Sequence, residues 1–417
     1  MDNRNEVDIA IVGAGAAGIA AGRQLADNLG DKGVSFRILE ARDRVGGRGW
    51  TVAGLAADPL DFGCHWLHSA DRNPFVAIAE AAGFAIDRSP APWSRLAGNA
   101  AFATAEDQTA FRAAREAFWE RVHAAAETGE DRPASDLADP ASPWNPLIAA
   151  GSTWANGVEP DRVSTLDHWR YDETPVNWRL PAGYGALIAA HAEGLPVTLG
   201  CAVARIDHRG TTIRLETAAG TLRARRVIVT VPPPVLLVGG IVFDPALPGT
   251  LAAAAGLPLG LADKLFLALD RPEIVPVEGQ VYGRTDRTAI GAYHLRPLGR
   301  PIIEGYFGGM VARELERGGM PAFFAHAADE LAALFGSDIR ARLRPLAATA
   351  WALDPRALGS YSAALPGFAD ARARLARPVD GRIFFAGEAT APDQFSTAHG
   401  ALLSGRTAAD AALASLA

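Results

Sequence analysis

The sequence has few cysteines, few lysines and no long uninterrupted apolar segment. Its two cysteines, Cys64 and Cys201, are too few for a disulfide framework, which favours a reducing compartment. The start of the chain lacks the apolar run of a signal peptide, and prolines and glycines break the longest apolar stretch, residues 227–243. The last predicted helix ends without an apolar tail. We therefore expect a cytoplasmic protein that does not span a membrane.

Net charge and chain length narrow the classes of protein to which this sequence can belong. The formal net charge of −7 argues against nucleic-acid binding and mildly suits cationic partners. The chain is 49% hydrophobic and 21% charged, as soluble globular proteins are, and 417 residues favour two domains over one. Only two of the 40 basic residues are lysines, Lys32 and Lys264. We expect no metal site.

An apolar strand, residues 9–12, leads through three glycines into an alanine-rich helix predicted over residues 16–28. Gly13 permits the tight turn, Gly15 lets backbone approach a diphosphate, and Gly18 lets the helix pack closely on the strand. The diphosphate would lie at the helix N-terminus, where unpaired N–H groups favour negative charge. The pattern predicts a dinucleotide site.

A second predicted strand, residues 34–39, is followed directly by Glu40, which lies 22 residues after Gly18. This is close to the spacing of about 20 residues expected for a carboxylate that binds the ribose. An acid at this place disfavours a 2′-phosphate and hence NADP. The glycine pattern (the glycine fingerprint) and Glu40 alone are compatible with either NAD or FAD as the dinucleotide.

The next segments resemble those of the flavin-containing amine oxidases. Residues 40–48 add two more glycines, and Arg42 and Arg48 within this segment are fixed positive charges suited to the diphosphate and adenosine. Residues 61–68 resemble the loop that passes beside the flavin ring in that family. The resemblance therefore implies FAD as the cofactor.

The resemblance extends over nearly the whole chain. The turn Gly387–Glu388, after an apolar strand, suits the ribityl chain, and residues 395–405, which open the last helix, are similar to polyamine and spermine oxidases. The N–H groups of that helix would face the pyrimidine side of the flavin. Together the motifs imply a cofactor site made of Gly13, Gly15, Ala17, Gly18, Glu40, Arg42, Gly47, Arg48, Gly63, Cys64, His65, Trp66, Val203, Gly387, Glu388, Thr397 and Ala398.

The attachment of the flavin follows from the same comparison. Ser360 occupies the place where the mammalian monoamine oxidases carry the cysteine that bonds to the flavin. We therefore expect non-covalent FAD. A bond to Cys64 or His65, which the resemblance places near the ring, is the alternative.

The fold class implied is α/β, with a discontinuous Rossmann-like FAD-binding domain and an α+β substrate domain whose mixed sheet is flanked by helices. We assign residues 1–72, 183–262 and 378–417 to the FAD-binding domain and residues 73–182 and 263–377 to the substrate domain. Hydrophobic periodicity within the substrate domain predicts helices over 73–83, 106–127 and 321–335, and strands over 263–269, 288–294, 301–307 and 344–351.

Lys264 is the candidate catalytic residue. It lies in an apolar strand pattern, where a charge is costly unless it has partners. In the resembling family the lysine at this place holds a water against the flavin N5, and arginine is a poor substitute for so compact a donor. The alternative is a lysine at the end of a strand that reaches solvent.

The substrate wall and the reaction come from the resemblance as well. Tyr361 matches an aromatic residue that stands over the flavin in that family. The monoamine oxidases have a second aromatic residue on the opposite wall, and Thr397 takes its place here. His68 and Trp351 are further candidates for the same pocket. A second cation on the substrate would need a carboxylate, for which Glu159, Asp172 and Glu173 are candidates. The implied reaction is hydride transfer from an amine to FAD, followed by reoxidation with O2 to give hydrogen peroxide.

Three alternatives remain open from the sequence. The same scaffold serves L-amino-acid oxidases, which need a buried arginine for the carboxylate, and desaturases, which act on large apolar substrates. A flavin-holding module without catalysis is the third. The sequence does not tell which amine is oxidised, and it leaves the oligomeric state open, a homodimer included.

Overall fold

The computed structural model describes residues 5–28, 33–94 and 104–416. The strands are β1 Glu6–Val12, β2 Phe36–Leu39, β3 Thr51–Val52, β4 Leu60–Asp61, β5 Trp66–Leu67, β6 Trp178–Arg179, β7 Val197–Thr198, β8 Val203–Asp207, β9 Ile213–Thr217, β10 Gly220–Val229, β11 Val242–Asp244, β12 Leu259–Gly260, β13 Ala262–Leu269, β14 Gly279–Tyr282, β15 Ala292–Leu295, β16 Ile302–Gly308, β17 Leu343–Ala348, β18 Tyr361–Ser362 and β19 Ile383–Phe385. The α-helices are α1 Ala16–Asn28, α2 Pro74–Ala81, α3 Ala105–Glu127, α4 Asn145–Asn156, α5 Thr165–Arg170, α6 Tyr184–Ala190, α7 Pro233–Leu237, α8 Pro248–Ala255, α9 Gly309–Phe335, α10 Ala371–Leu375 and α11 Ala398–Ala414.

The larger sheet has the strand order β11-β8-β9-β10-β1-β2-β7, and β19 also pairs with β10. Strands β7, β2, β1, β10 and β19 are parallel, and their apolar side chains are buried on both faces, as in other parallel sheets. Helices α1 and α11 pack against each other beside this sheet. A Cβ atom on Gly405 would lie 2.1 Å from the Ala17 carbonyl oxygen, so this helix contact requires glycine.

The smaller sheet is antiparallel, with the order β14-β15-β16-β13-β17. Because side chains alternate across a strand, odd-numbered residues such as Leu265 and Phe307 pack into the core that includes α9. Even-numbered residues such as Lys264 and Tyr306, which pair directly across β13 and β16, lie on the opposite face. That face contributes to the cavity described below.

The fold class predicted from the sequence is confirmed, whereas some strand boundaries were wrong. The strand predicted over 288–294 begins only at Ala292. The strand predicted over 344–351 ends at Ala348, because Thr349 Oγ1 and the Trp351 amide donate to the Asp263 carboxylate at 2.7 and 3.2 Å. This side-chain acceptor takes the place of a strand partner.

The helix predicted over 321–335 begins twelve residues earlier, at Gly309. Gly319 has φ 64° and Pro321 follows it, so the helical pattern is interrupted in sequence although the two segments join into one kinked helix. Strands of the larger sheet come from residues 6–39, 197–244 and 383–385. The exact division into two domains stays a prediction.

Within the described ranges, no helix is long and apolar enough to cross a lipid bilayer.

Candidate active site

A cavity of about 570 Å³ lies where the two sheets approach each other. Its lining begins at the ends of β1 and β2, which carry the glycine fingerprint, and continues to the even-numbered face of the smaller sheet. The predicted cofactor-binding residues other than Gly18 line this cavity, and so do Lys264, His68, Trp351 and Tyr361. Segments more than 300 residues apart in the chain therefore meet around one space.

The glycine fingerprint has the geometry of a dinucleotide cradle. Gly13 has φ 104°, and a Cβ atom there would lie 2.5 Å from Thr230 Oγ1. A Cβ atom on Gly18 would lie 1.9 Å from the Gly13 carbonyl oxygen, so Gly18 permits close packing and does not line the cavity. The nearest atom to a Cβ on Gly15 would be Gly47 Cα at 4.0 Å, so the backbone there borders open space. The cradle fits the diphosphate of FAD.

Glu40 is fixed beside this cradle. Its Oε2 accepts a hydrogen bond from the Ala14 amide at 2.7 Å, and its Oε1 accepts one from the Arg42 amide at 2.8 Å. Each carboxylate oxygen has a second lone pair. The carboxylate is therefore held at the end of β2 with acceptor capacity left for ribose hydroxyls.

The two arginines of the predicted site are paired with carboxylates. Arg42 forms a salt bridge with Asp354 at 2.9 Å. Arg48 Nη1 donates to Glu388 Oε1 at 2.9 Å and to the Ser360 carbonyl at 2.6 Å. Both side chains line the cavity, so their charge is positioned before a ligand arrives.

Glu388 joins three segments of the cavity wall. Besides Arg48, its carboxylate accepts the Ser362 hydroxyl at 2.6 Å and the Ser396 amide at 3.0 Å. Burial raises the pKa of Glu388, but the Arg48 charge and these hydrogen bonds outweigh burial and hold the pKa below its usual value. Next to Ser396, Thr397 caps α11 by accepting the Gly400 amide at 2.9 Å, which places the start of this helix at the cavity.

The loop from Asp61 to Trp66 runs between the cradle and the smaller sheet. A Cβ atom on Gly63 would lie 1.6 Å from the Arg48 carbonyl oxygen, so only glycine fits there. Burial and the Asp61 charge raise the pKa of the Cys64 thiol to about 12, which leaves it without thiolate character. His65 Nδ1 lies 3.3 Å from Asp61 Oδ2.

Lys264 is buried at the centre of this arrangement, with 7% of its surface exposed, so it does not reach solvent. Its Nζ donates to the carbonyls of Asp61 at 2.7 Å and Gly63 at 2.8 Å and lies 5.5 Å from the centre of the Tyr306 ring. Burial lowers the pKa of Lys264, and the negative charges of Glu304 and Asp61 partly oppose this effect. The lysine thus fixes the loop beside the cavity.

The three predicted pocket residues also lie on the cavity wall. The Tyr361 hydroxyl donates to the Trp154 carbonyl at 2.5 Å, and Trp351 Nε1 donates to the Phe62 carbonyl at 3.3 Å. His68 Nδ1 is 2.6 Å from Asn177 Oδ1, and burial lowers the pKa of this imidazole. Their roles toward a substrate stay predictions.

Comparison with known proteins decides what kind of site this is. The family model of flavin containing amine oxidoreductases matches residues 16–103 and 90–413, which is nearly the whole chain. The chain belongs to this family. It is an FAD-dependent amine oxidase, as the sequence motifs predicted.

Relatives and solved structures agree with this assignment. Polyamine oxidase 4 of Oryza sativa subsp. japonica is 29% identical over 444 residues, which cover 96% of this chain and 88% of that protein. Lysine-specific histone demethylase 1 homolog 1 of the same organism is 29% identical over 450 residues, covering 95% of this chain and 51% of that protein. Wild-type putrescine oxidase bound to putrescine has the same fold, with a TM-score of 0.79, 18% identity, and coverage of 98% of this chain and 99% of that one.

The amine oxidase carries wall residues that sequence reasoning missed. The even-numbered face of the smaller sheet adds Gln280, Tyr282, His294 and Tyr306 to the cavity lining, and α4 adds Trp154, whose ring stacks on Tyr282 at 5.0 Å. The alternation of residues within β14, β15 and β16 was the available signal. Alone it does not say which face of a strand borders a cavity.

Several other side chains lie outside the cavity lining. The aromatic residues Trp178, Tyr184 and Phe395 are not part of the described lining. The same holds for the three candidate carboxylates: Glu159 accepts the Met310 amide, Asp172 pairs with Arg72 at the surface, and Glu173 is also outside the lining. Among the residues that the structure covers, no group of histidines, cysteines and acids could hold a metal ion.

Proposed function

We propose that this amine oxidase oxidises an aliphatic amine of the polyamine class to an imine, with O2 as the acceptor and hydrogen peroxide as the second product. FAD, when bound, supplies the hydride acceptor at N5 and passes the electrons to O2. The observation that carries the proposal is the buried Lys264 ammonium. It lies between the loop from Asp61 to Trp66, at the end of the cavity that carries the glycine fingerprint (the cofactor end), and the aromatic wall of the smaller sheet.

Lys264 has one N–H group left for a ligand. A lysine ammonium has three N–H groups, and two of them bind the carbonyls of Asp61 and Gly63. Because Lys264 lines the cavity, we infer that the third holds a water molecule or a reacting oxygen at this point. The two carbonyl bonds keep the ammonium from turning away.

The aromatic wall suits an alkylamine. Trp66, Trp154, Tyr282, Tyr306 and Tyr361 line the cavity and offer ring faces that attract cations and pack against methylene groups. The names of the similar proteins, polyamine oxidases and putrescine oxidase, support an aliphatic polyamine over an aryl-alkyl monoamine.

An L-amino-acid substrate is disfavoured. Such a substrate needs an arginine for its carboxylate, and the arginines in the described lining are Arg42, Arg48 and Arg356. Arg42 and Arg48 belong to the cofactor end, where each is already paired with a carboxylate. Along the smaller sheet, the described lining includes no arginine.

The experiment measures peroxide formation by the FAD-loaded enzyme in air with aryl-alkyl monoamines, putrescine, spermidine, spermine, N-acetylated polyamines and L-amino acids. We expect peroxide and O2 consumption in equal amounts with aliphatic polyamines. Because hydride leaves the carbon beside a neutral amine, and alkylamines titrate near ~10.4, the rate at low substrate should rise with pH below that value. Turnover of L-amino acids alone would refute the proposal.

A further inference from the structure

Glu304 is a buried carboxylate for which the described residues include no direct salt-bridge partner. Its side chain is 1% exposed, and the hydrogen bond it accepts comes from the Tyr306 hydroxyl at 2.8 Å. Burial raises the pKa of Glu304, but the charges of His65, Lys264 and His294 outweigh burial and hold the pKa below its usual value, so Glu304 is an anion. An anion one hydrogen bond behind the cavity lining favours a positively charged group on that part of the wall.

Neighbouring carboxylates do not share this property. Glu278 binds Arg179 through both oxygens, at 3.0 and 2.9 Å, and also faces His294 Nε2 at 2.8 Å. Asp61 accepts the Tyr184 amide at 3.0 Å and other donors. Glu304 is thus the exception on this side of the cavity.

The position of Glu304 relative to Lys264 follows from the strand register. Lys264 pairs with Tyr306, and Glu304 pairs with Phe266 on one side and His294 on the other. Lys264 and Glu304 are therefore diagonal neighbours on one face, about 7–8 Å apart along the sheet. A substrate whose reacting carbon is near Lys264 would place a second nitrogen farther along this face.

Tyr306 connects Glu304 to the cavity. Tyr306 is part of the cavity lining, and its hydroxyl donates its proton to Glu304. Because that proton is engaged, the phenolic oxygen can serve a ligand only as an acceptor, and a negative charge lies behind it. An ammonium N–H is the complementary donor.

We propose that Tyr306 and Glu304 form a recognition site for a second, positively charged nitrogen of the substrate, which makes the enzyme selective for diamines and polyamines over monoamines. The inference rests on the proposed function. The alternative is that Glu304 serves only as a counter-charge to Lys264. In that case its loss affects every amine equally.

The test compares each diamine with the monoamine in which a methyl group replaces the distal nitrogen, such as 1,4-diaminobutane with pentylamine. The measured quantity is the ratio of the two second-order rate constants for anaerobic reduction of the holoenzyme. Glu304→Gln should lower the ratio by about 10- to 100-fold, the effect of losing a hydrogen bond to a charged group. Tyr306→Phe should lower it in the same direction. An effect of either substitution on Lys264 changes the rate constants of the diamine and the monoamine equally, so it cancels in the ratio.

Glu330→Gln is the matched control. Glu330 accepts the Tyr293 hydroxyl at 2.7 Å, so it forms the same kind of pair, but Tyr293 is fully buried on the opposite face of the sheet and does not line the cavity. This variant should leave the ratio unchanged. An unchanged ratio in Glu304→Gln and Tyr306→Phe, or an equal fall in Glu330→Gln, would overturn the inference.

Binding without turnover provides a second measurement. Calorimetry on the chemically reduced holoenzyme under nitrogen should show that 1,4-diaminobutane binds more tightly than pentylamine, and that Glu304→Gln removes the difference. Equal affinities in the unmodified enzyme would also overturn the inference. If no amine reduces the flavin, the proposed function fails, and the binding difference still decides whether the cation site exists.

Discussion

Replacing Lys264 by methionine is the most informative change to the proposed site. Methionine keeps a long unbranched stem in the buried strand but has no N–H donors. The change therefore removes the hydrogen bonds to the carbonyls of Asp61 and Gly63 and the one donor left for the cavity. The strand and its apolar contacts stay the same.

The losses of stability and of reaction rate can both be estimated from these contacts. Leaving two buried carbonyls without donors costs about 1–3 kcal/mol each, which the removal of a buried charge partly offsets. If Lys264 also positions a water or a proton in the reaction, the slower half-reaction should lose about 10²–10⁴-fold. Lys264→Arg should not restore the rate, because the planar guanidinium does not reproduce a compact ammonium between two carbonyls.

The assay is stopped-flow spectroscopy of FAD-loaded protein, with reduction by amine under nitrogen and reoxidation by O2 measured separately. The flavin content of each variant is the control, since a variant that binds less FAD would mimic a slower one. We expect a large loss in at least one half-reaction for both variants. Unchanged rates in both half-reactions of Lys264→Met would refute the assignment of Lys264.

Three further predictions concern stability, reactivity and cofactor binding. Burial and Glu316 raise the pKa of Asp263 well above its usual value, so its contribution to stability is fully present below the unfolded pKa of about 3.9 and is lost as pH rises through the folded pKa. The melting temperature of Asp263→Asn should therefore gain on that of the unmodified protein as pH rises, and a difference independent of pH would contradict this. Because the pKa of Cys64 is about 12, iodoacetamide at pH 8 should modify it only after unfolding, and rapid labelling of Cys64 in the native protein would contradict this. Acid precipitation should release all FAD into the supernatant, whereas a yellow precipitate would count against a non-covalent flavin. Glu40→Ala removes the acceptor of the Ala14 amide and should weaken FAD binding about 10- to 100-fold by calorimetry, whereas affinity equal to that of the unmodified protein would show that Glu40 does not bind the cofactor.

The cofactor end could be predicted from the sequence because its determinants are local. The glycines of the fingerprint, the strand before them and Glu40 lie within about one βαβ unit, and each is fixed by backbone geometry that only a few residue types allow. Lys264 stood out for a similar reason, as a charged residue within an apolar strand pattern. The family model then confirmed the cofactor and the class of enzyme.

The part of the cavity wall that the smaller sheet contributes could not be predicted, because it depends on strand pairing. Glu304, Tyr306 and His294 become neighbours of Lys264 only through the register of β13, β16 and β15. A shift of one residue would turn each side chain to the opposite face. The sequence also gave no reason to prefer Glu304 over Glu159, since the burial that distinguishes them arises from tertiary packing.

The central claim is that an aliphatic amine reduces the FAD held in this cavity. The most direct measurement mixes the purified yellow protein with 1,4-diaminobutane, spermidine and spermine under nitrogen and records the flavin absorbance. We predict rapid loss of the oxidised flavin band with at least one of these amines. An unchanged spectrum with all of them, in a protein that holds FAD, would contradict the account.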